Sequence, residues 1–270
     1  MTNKNILITG AGRGIGKRLA IGLAAKGARV GLLARSKAEI DLAKLEIEHA
    51  GGISLHLRAD VRDLDQLMAA AERMRVLWGS IDVLIAAAGI QGPIGPFLDT
   101  PPKAWAETIE TNLIGVANSI RAVLGSMVER RKGKIIVLSG GGSLTARPNF
   151  SAYAAAKTGV VRLVETIAAE VSDHNVQVNC MAPGGSYTSM TDEILEAGDK
   201  AGWKEIEDAT DIRTTGGIQA DKQILLAAFL ASEASNHISG KVVHVTDDWK
   251  KLERTTVNPE LFTLRRVQKM

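Results

Sequence analysis

The stretch "NILITGAGRGIG", residues 5–16, decides the fold of this chain. A short apolar run leads directly into closely spaced glycines, and residues 14–26 then follow a helical pattern. Glycine permits a tight turn and close approach to a pyrophosphate, and free N–H groups at a helix N-terminus attract phosphate. The stretch therefore predicts a nucleotide-binding turn, with a ligand-free strand–helix turn as the alternative. The predicted contacts are Gly10, Gly12, Arg13, Gly14, Ile15 and Gly16.

Strand-like and helix-like runs alternate almost to the end of the chain. The predicted strands are residues 5–9, 29–34, 54–60, 81–88, 134–139, 176–182 and 241–246. The predicted helices are residues 14–26, 37–49, 63–77, 103–130, 152–173 and 220–232. Repeated strand–helix–strand units build parallel sheets with right-handed crossovers. The pattern thus predicts an α/β fold, a Rossmann-like doubly wound parallel sheet of about seven strands with helices on both faces.

No linker or low-complexity segment divides the chain, so we predict a single dinucleotide-binding domain over residues 1–246. Residues 185–219 do not follow the alternation and are interpreted as a substrate-loop insertion. Residues 247–270 form a C-terminal tail extension. The tail is too apolar to be freely solvated, so we expect it to pack on its own or a neighbouring subunit. Its apolar side chains are Trp249, Leu252, Leu261, Phe262 and Leu264.

Composition narrows the possible partners. Hydrophobic residues make up 45% of the 270 residues, and the formal net charge of +3 gives no support for nucleic-acid binding. No apolar run reaches the ~20 residues that a membrane-spanning helix needs. The single cysteine, Cys180, allows no internal disulfide, and the five histidines show no ligand spacing. We therefore expect a cytoplasmic protein with no metal, nucleic-acid or membrane partner.

The end of the second strand indicates which dinucleotide is bound. An acidic residue there would bind a ribose 2′-hydroxyl, whereas an arginine accommodates a 2′-phosphate. The sequence reads "LLARSK" at this point, with Arg35 and Ser36 after the strand, and Arg13 stands inside the glycine turn. Two guanidinium groups and no carboxylate favour NADP(H) over NAD(H). The alternative is that these side chains belong to a solvated loop.

The sequence "YAAAK" places Tyr153 and Lys157 four residues apart, on one face of a predicted helix. Reduction of a carbonyl by hydride leaves an alkoxide, which a positioned acid must protonate. A free tyrosine titrates near ~10, and a nearby cation stabilises the phenolate. The pair is therefore a candidate general acid/base with its supporting cation. A surface pair on an amphipathic helix is the alternative.

Taken together, these motifs resemble those of the classical short-chain dehydrogenases/reductases over about residues 4–246. "TGAGRGIG" matches the family's TGxxxGxG and "YAAAK" its YxxxK. "AAAG" (86–89) stands where the family usually has NNAG, with alanine in place of both asparagines. "TNLIG" (111–115) supplies Asn112, and "APGGSYT" (182–188) matches PGxxxT. The resemblance implies a doubly wound fold and an oxidoreductase.

The resemblance also implies roles for particular residues. Lys157 would contact the nicotinamide ribose, and Asn112 would hold a proton-relay water. A small-molecule carbonyl or alcohol substrate is implied, as is a homo-oligomer, a tetramer or dimer, in which the helices bearing Tyr153 pair. The cofactor contacts implied outside the glycine turn are Asp60, Val61, Ala88, Gly89, Tyr153, Lys157, Pro183, Gly184 and Thr188.

The family's serine is where this chain departs from the pattern. The family usually carries a serine thirteen residues before the tyrosine, where it hydrogen-bonds the substrate oxygen. That position is Gly140 here, flanked by Ser139 and Ser143 in "SGGGS". Glycine gives the backbone unusual freedom, so either serine could turn inward. We favour Ser139 as the donor and assign Ser143 to the substrate side; both could also be turn residues only.

The leading functional hypothesis is an NADP(H)-dependent oxidoreductase acting on a carbonyl/alcohol pair. One alternative is a 3-ketoacyl-carrier-protein reductase, for which the basic run "ERRKGK" (129–134) is a conceivable carrier dock. Residues 189–215 hold eight acidic and three basic residues, which favours a small polar substrate over an acidic carrier. A second alternative is a non-catalytic dinucleotide-binding sensor or scaffold on the same fold.

Overall fold

A computed structural model of the chain describes residues 1–253, 257–258 and 260–265. Its centre is a seven-stranded sheet with the order β3-β2-β1-β4-β5-β6-β7, in which all paired strands are parallel. The strands are β1 Asn5–Thr9, β2 Arg29–Ala34, β3 Ile53–Arg58, β4 Val83–Ala86, β5 Gly133–Leu138, β6 Val176–Ala182 and β7 Val242–His244. The predicted fold class is confirmed.

The strand order reverses between β1 and β4, which places a crevice at their carboxyl ends. In the register of the sheet, Thr9 pairs with Ala86, and Leu138 of β5 pairs with Met181 of β6. The carboxyl ends of these four strands consequently meet at one edge of the sheet. Open α/β sheets bind ligands at this kind of topological switch point.

Helices cover both faces of the sheet and enclose two apolar cores. Helices α1, α2 and α9 pack on one face, with Leu19 and Leu226 fully buried there. Helices α3, α5 and α6 pack on the other, around Ile120 and Val160. The α-helices are α1 Gly14–Ala25, α2 Lys37–His49, α3 Leu64–Trp78, α4 Pro102–Ile109, α5 Gly115–Glu129, α6 Ser151–Glu170, α7 Ser189–Ala197, α8 Trp203–Thr215 and α9 Ala220–Leu230.

Two regions differ from the sequence-based expectation. The helix predicted over 103–130 is present, but a π-helical turn at Glu110–Ile114 divides it into α4 and α5. The insertion at 185–219 is largely helical, since it contains α7 and α8. Both differences bring side chains to the carboxyl edge of the sheet, as described below.

The described part of the tail packs along the edge strand β7 and the neighbouring helices. The Val242 N–H of β7 donates to the carbonyl of Phe262 at 2.7 Å. Trp249 stacks on Phe229 of α9 with 5.2 Å between ring centroids, and Leu252 is buried. Leu261 is exposed. The rest of the predicted tail, residues 254–256, 259 and 266–270, lies outside the described residues.

The expected absence of a membrane-spanning helix and of a metal site can be examined only in the residues that the structure describes. Among the residues that the structure describes, no helix is both long and apolar enough to cross a membrane. Within the same ranges, no three His, Cys, Asp or Glu side chains are grouped so that they could hold a metal ion. The expectation of a cytoplasmic protein stays a prediction.

Candidate active site

The glycine turn after β1 is shaped by backbone contacts. Gly10 has φ +66°, and a Cβ on it would lie 2.7 Å from the Cα of Ala88. A Cβ on Gly16 would lie 2.2 Å from the carbonyl oxygen of Gly10. Arg13 at the N-cap of α1 makes no side-chain capping hydrogen bond. The turn is thus packed backbone to backbone, next to a helix N-terminus without a side-chain cap, and such a terminus fits a dinucleotide's phosphates.

Two segments that are distant in the sequence pack near this turn. The hydroxyl of Thr9 accepts hydrogen bonds from the N–H groups of Ala87 and Ala88, both at 3.2 Å, which ties β1 to the chain after β4. A Cβ on Gly14, which has φ +55°, would lie 3.4 Å from the Cγ2 of Thr188. The structure therefore brings together three parts of the predicted cofactor site that are far apart in the sequence.

The end of β2 adds one residue that sequence reasoning missed. The Ser36 hydroxyl caps α2 by accepting from the Glu39 N–H at 3.3 Å, while Arg35 is exposed. The Glu39 side chain reaches the glycine turn, where a Cβ on Gly12 would lie 3.0 Å from its Oε2. The sequence did contain a signal for the position of Glu39, because Ser36 and Glu39 have the spacing of a capping box at the start of a helix. A carboxylate therefore stands at the same edge as Arg13 and Arg35.

Asp60 and Val61 follow β3 and are held by local contacts. Asp60 accepts from the Arg62 guanidinium at 2.7 and 3.1 Å and from the Arg62 N–H at 3.0 Å. These hydrogen bonds hold the pKa of the Asp60 carboxyl below its usual range. The Val61 carbonyl accepts from the Asn118 amide of α5 at 3.1 Å. The loop is thereby fastened against α5, and its role toward adenine stays a prediction.

Tyr153 and Lys157 lie on the inward face of α6. Both are buried, and the Lys157 ammonium is 5.6 Å from the centroid of the Tyr153 ring. Lys157 Nζ donates to the carbonyl of Leu138, the last residue of β5, at 2.8 Å. This bond anchors the lysine at the carboxyl edge of the sheet. The two side chains therefore face the crevice.

The π-helical turn between α4 and α5 carries Asn112 into the same region. Its Oδ1 accepts from the Ile90 N–H at 2.9 Å and its Nδ2 donates to the Ile90 carbonyl at 2.8 Å. A Cβ on Gly89 would lie 3.2 Å from that Oδ1 and 4.0 Å from the Lys157 ammonium. The absence of a side chain at Gly89 therefore leaves the space in which Asn112 and Lys157 approach each other.

At the usual serine position the glycine triplet brings Gly140 close to the phenol. A Cβ on Gly140 would lie 2.8 Å from the Tyr153 hydroxyl oxygen, so a larger residue would require a shift. The Ser139 and Ser143 hydroxyls are buried and hydrogen-bond to each other at 2.9 Å. The Ser143 N–H donates to the Gly140 carbonyl at 3.1 Å, which closes the turn. Both serines thus lie next to the residue that contacts the phenol.

The segment after β6 is fastened by an amide that sequence reasoning also missed. Gln223 of α9 is fully buried, and its Nε2 donates to the Pro183 carbonyl and to the Ser186 hydroxyl, both at 2.8 Å. Gly184 has φ +71°, and a Cβ there would lie 2.7 Å from Ile218. Thr188 then begins α7 with a capping box. Nothing in the local sequence of α9 marks this glutamine as a site residue.

Helices α7 and α8 cover the catalytic-site candidate as a lid. Tyr153 is 9% exposed and belongs to a small apolar cluster with Phe150 and with Ile194 of α7. Arg147 in the loop before α6 makes a two-bond ion pair with Glu205 of α8, at 2.7 and 2.8 Å. Sequence reasoning missed this pair, because the two residues are 58 positions apart.

Fold and site together define a nicotinamide-dinucleotide-dependent α/β oxidoreductase. A model of the short chain dehydrogenase family matches residues 4–199. The chain belongs to this family, and it is an oxidoreductase acting on a carbonyl/alcohol group.

Named relatives span nearly the whole chain. The 3-oxoacyl-[acyl-carrier-protein] reductase of Staphylococcus aureus (strain N315) is 33% identical over 248 residues, 90% of this chain and 96% of the relative. The 5-keto-D-gluconate 5-reductase of Escherichia coli (strain K12) is 34% identical over 249 residues, 91% and 94% of the two chains. A crystal structure of an actinorhodin polyketide ketoreductase with NADPH has a TM-score of 0.83 at 27% identity, covering 90% of this chain and 95% of that one.

Proposed function

We propose that this chain is an NADP(H)-dependent reductase or dehydrogenase of a small carbonyl/alcohol substrate. The main support is the inward-facing pair of Tyr153 and Lys157 at the carboxyl edge of the sheet, with Gly140 next to the phenol. A bound nicotinamide supplies or removes the hydride at the substrate carbon. Tyr153 gives a proton to the substrate oxygen in reduction and takes it back in oxidation.

The neighbouring residues support this proton transfer. The Lys157 ammonium lies 5.6 Å from the centroid of the Tyr153 ring, and its bond to the Leu138 carbonyl fixes its position. Asn112 holds the chain after β4 through Ile90 and, in this proposal, contacts a relay water. Ser139 is the proposed hydroxyl donor to the substrate oxygen. In this structure its hydroxyl donates to the Ser143 hydroxyl at 2.9 Å, and with substrate bound the Ser143 hydroxyl would instead donate to Ser139.

The preference for NADP(H) rests on charge at the end of β2. Arg13 and Arg35 supply two exposed guanidinium groups beside the carboxylate of Glu39. Asp60 and Glu193 add negative charge near Arg35 and Arg13, respectively. A 2′-phosphate gains charge-assisted hydrogen bonds from such groups, whereas a ribose hydroxyl gains little. The similar ketoreductase structure with NADPH supports the same choice.

A second candidate is a reductase of acyl-carrier thioesters, favoured by the similarity to the staphylococcal enzyme. The basic run at 129–134, however, begins at the end of α5 and enters the first residues of β5. It thus lies at the opposite edge of the sheet from Tyr153, and the Arg130 and Arg131 guanidinium groups bond backbone carbonyls there. The relative named for 5-keto-D-gluconate favours a small polar substrate instead.

A kinetic panel tests the proposal. Ketones, aldehydes, oxo acids and an acetoacetyl thioester are offered with NADPH and with NADH, and cofactor oxidation is followed at matched concentrations. We expect turnover of a small carbonyl compound and at least ~10-fold tighter binding of NADPH, equivalent to one strong charge-assisted interaction. Equal affinity for both cofactors would contradict the cofactor assignment. Binding of NADPH without turnover of any substrate would favour the sensor or scaffold.

We also propose a homo-oligomer, a tetramer or dimer. Helix α6 keeps Leu163 and Ile167 only partly buried within the monomer, so part of its outer face is apolar. Burial of that face against a second copy would remove it from water. Light scattering at working concentration tests this, and a monomer would contradict it.

A further inference from the structure

Arg147 is a partly buried cation beside the proposed proton donor. Its guanidinium lies 4.0 Å from the centroid of the Phe150 ring and 5.4 Å from that of Tyr153. Its side chain is only 14% exposed. A planar guanidinium suits carboxylate recognition, because its fork can donate two parallel hydrogen bonds. The proposed chemistry described above does not use this group.

The guanidinium and the phenol hydroxyl lie against successive residues of one loop. A Cβ on Gly140 would be 2.8 Å from the Tyr153 oxygen, and one on Gly141 would be 3.7 Å from the Arg147 Nε. Both groups thus border the same glycine loop, and the guanidinium is 5.4 Å from the centroid of the ring that bears the phenol hydroxyl.

A carboxylate already occupies the Arg147 fork. Arg147 Nε donates to Oε1 of Glu205 at 2.8 Å, and Nη2 donates to Oε2 at 2.7 Å. Glu205 belongs to α8, and the lid makes a further bond from the Asn149 amide to the Ala201 carbonyl at 3.3 Å. Helix α8 also contributes Ala209 to the apolar cluster around Tyr153, so we expect α8 to move when a substrate reaches the phenol.

We propose that Arg147 binds the carboxylate of a small oxo or hydroxy acid substrate, and that Glu205 holds that place while the lid is closed. This inference rests on the proposed reductase function and names its substrate class. When the substrate carboxylate replaces that of Glu205, the Arg147 guanidinium keeps a carboxylate partner. A neutral ketone that displaced Glu205 while the site stayed closed would leave the guanidinium without its partner, which is costly for a buried charge.

The test compares variants with opposite expected effects. Short-chain oxo acids are assayed with their methyl esters, which keep the reacting carbonyl and lack the charge. Arg147→Met should lower kcat/KM for the acids by about 10- to 100-fold, the loss typical of a charge-assisted pair, and change the esters by less than about 3-fold. Glu205→Gln should leave kcat/KM for the acids unchanged or raise it, because the internal competitor is weakened.

A surface pair of the same geometry provides the matched control. Arg75 of α3 donates to Glu72 through two bonds, at 2.8 and 2.6 Å, with both side chains more than half exposed. Arg75→Ala should leave the kinetics unchanged for both substrate classes. Arg147→Lys keeps the charge but not the fork, so it should recover part of the acid selectivity. Thermal melts verify that each variant is folded.

The outcomes separate this inference from the proposed function. If Arg147→Met and Glu205→Gln lower acid and ester turnover alike, the pair is only a clasp for the lid and the inference is overturned, while the reductase stands. If the wild-type protein reduces no carbonyl compound, the proposed function fails. In that case, calorimetry measures the binding of saturated carboxylic acids and of their amides, which have no ketone or aldehyde to reduce. This binding tests the role of Arg147 independently of turnover. Carboxylate binding lost in Arg147→Met supports it, and equal binding of acid and amide overturns it.

Discussion

The cofactor side and the substrate side of the crevice are built by different kinds of contact. On the cofactor side, Gly10 meets the backbone of Ala88, and Gly16 meets the carbonyl of Gly10. On the substrate side, Arg147 pairs with Glu205, and Phe150 packs with the lid. Backbone contacts leave no room for substitution, whereas side-chain contacts can be exchanged. The comparison suggests that binding of the dinucleotide is built into the fold, while the choice of substrate depends on replaceable pairs.

Tyr153 lies where the cofactor side and the substrate side meet, so Tyr153→Phe should have the largest effect on turnover. It removes the proposed proton donor, so turnover should fall by ~10³-fold or more. NADPH affinity should change little, because the ring and its packing remain. Steady-state kinetics and fluorescence titration of NADPH measure the two quantities. Retention of the wild-type rate would falsify the mechanism.

Gly16→Ala tests whether the cofactor side is limited by its backbone. The new Cβ would lie 2.2 Å from the Gly10 carbonyl oxygen, so the turn must move. We expect a loss of about 2–4 kcal/mol in the free energy of unfolding, together with weaker NADPH binding.

The control for this variant is Gly125→Ala in the middle of α5, where a Cβ meets nothing within 4 Å. It should stabilise the protein by about 0.5–1 kcal/mol, because alanine favours the helix. Denaturant melts compare the two variants. If Gly16→Ala is as stable as wild type and binds NADPH normally, the cofactor side is more tolerant than we infer.

Ser139→Ala and Ser143→Ala sharpen the comparison on the substrate side. If Ser139 donates to the substrate oxygen, its loss should lower kcat by ~10²-fold. Ser143→Ala should cost only several-fold, because it removes the hydroxyl that accepts from Ser139 at 2.9 Å and holds Ser139 in place. NADPH affinity should be unchanged in both. The reverse order of effects would make Ser143 the donor, and small effects in both would leave the substrate oxygen to a water or to backbone N–H groups.

The smallest effect on catalysis is expected at the amino edge of the sheet, which belongs to neither side. Lys134 of β5 lines a cavity of about 90 Å³ and donates to the Ser235 hydroxyl at 3.1 Å. Burial lowers its pKa from 10.5 to about 7, Lys4 adds to this, and Glu233 opposes it. Between these two pKa values the unfolded chain binds the proton and the folded chain does not, so the stability contribution rises with pH.

Lys134→Met should therefore stabilise the protein by about 1–3 kcal/mol at pH 7 and below, where the folded state holds a buried charge. The gain should shrink as the pH rises toward 10. Kinetic constants should stay at wild-type values. Urea melts at several pH values measure the change, and a gain that does not vary with pH would argue against a titrating lysine.

Strands buried on both faces were the elements best predicted from the sequence. The predicted bounds 5–9, 29–34 and 176–182 agree with β1, β2 and β6. The helical pattern over 103–130, by contrast, gave no warning of the π-helical turn at Asn112. Helical periodicity hardly changes across a single inserted residue, and the break is stabilised by the hydrogen bonds of Asn112 with Ile90, which is 22 positions away.

The residues of the candidate site likewise divide into those with a local sequence signal and those without one. The glycine turn and the Tyr153–Lys157 pair could be recognised because each is a local pattern of residues a few positions apart. Glu39 had a local signal in its capping spacing. Gln223 had none, because it reaches Pro183 across 40 positions, and neither had the Arg147–Glu205 pair.

The sequence by itself determined the doubly wound sheet, the glycine turn and the residues proposed for proton transfer. Alternating buried strands and helices admit few other arrangements, and a tight turn against a helix requires glycine. Only the tertiary structure decided that Gly140 lies against the phenol, that Ser139 and Ser143 bond each other, and that a lid covers Tyr153. Those contacts join segments distant in the chain, and their geometry depends on how helices α6, α7 and α8 pack rather than on any local preference.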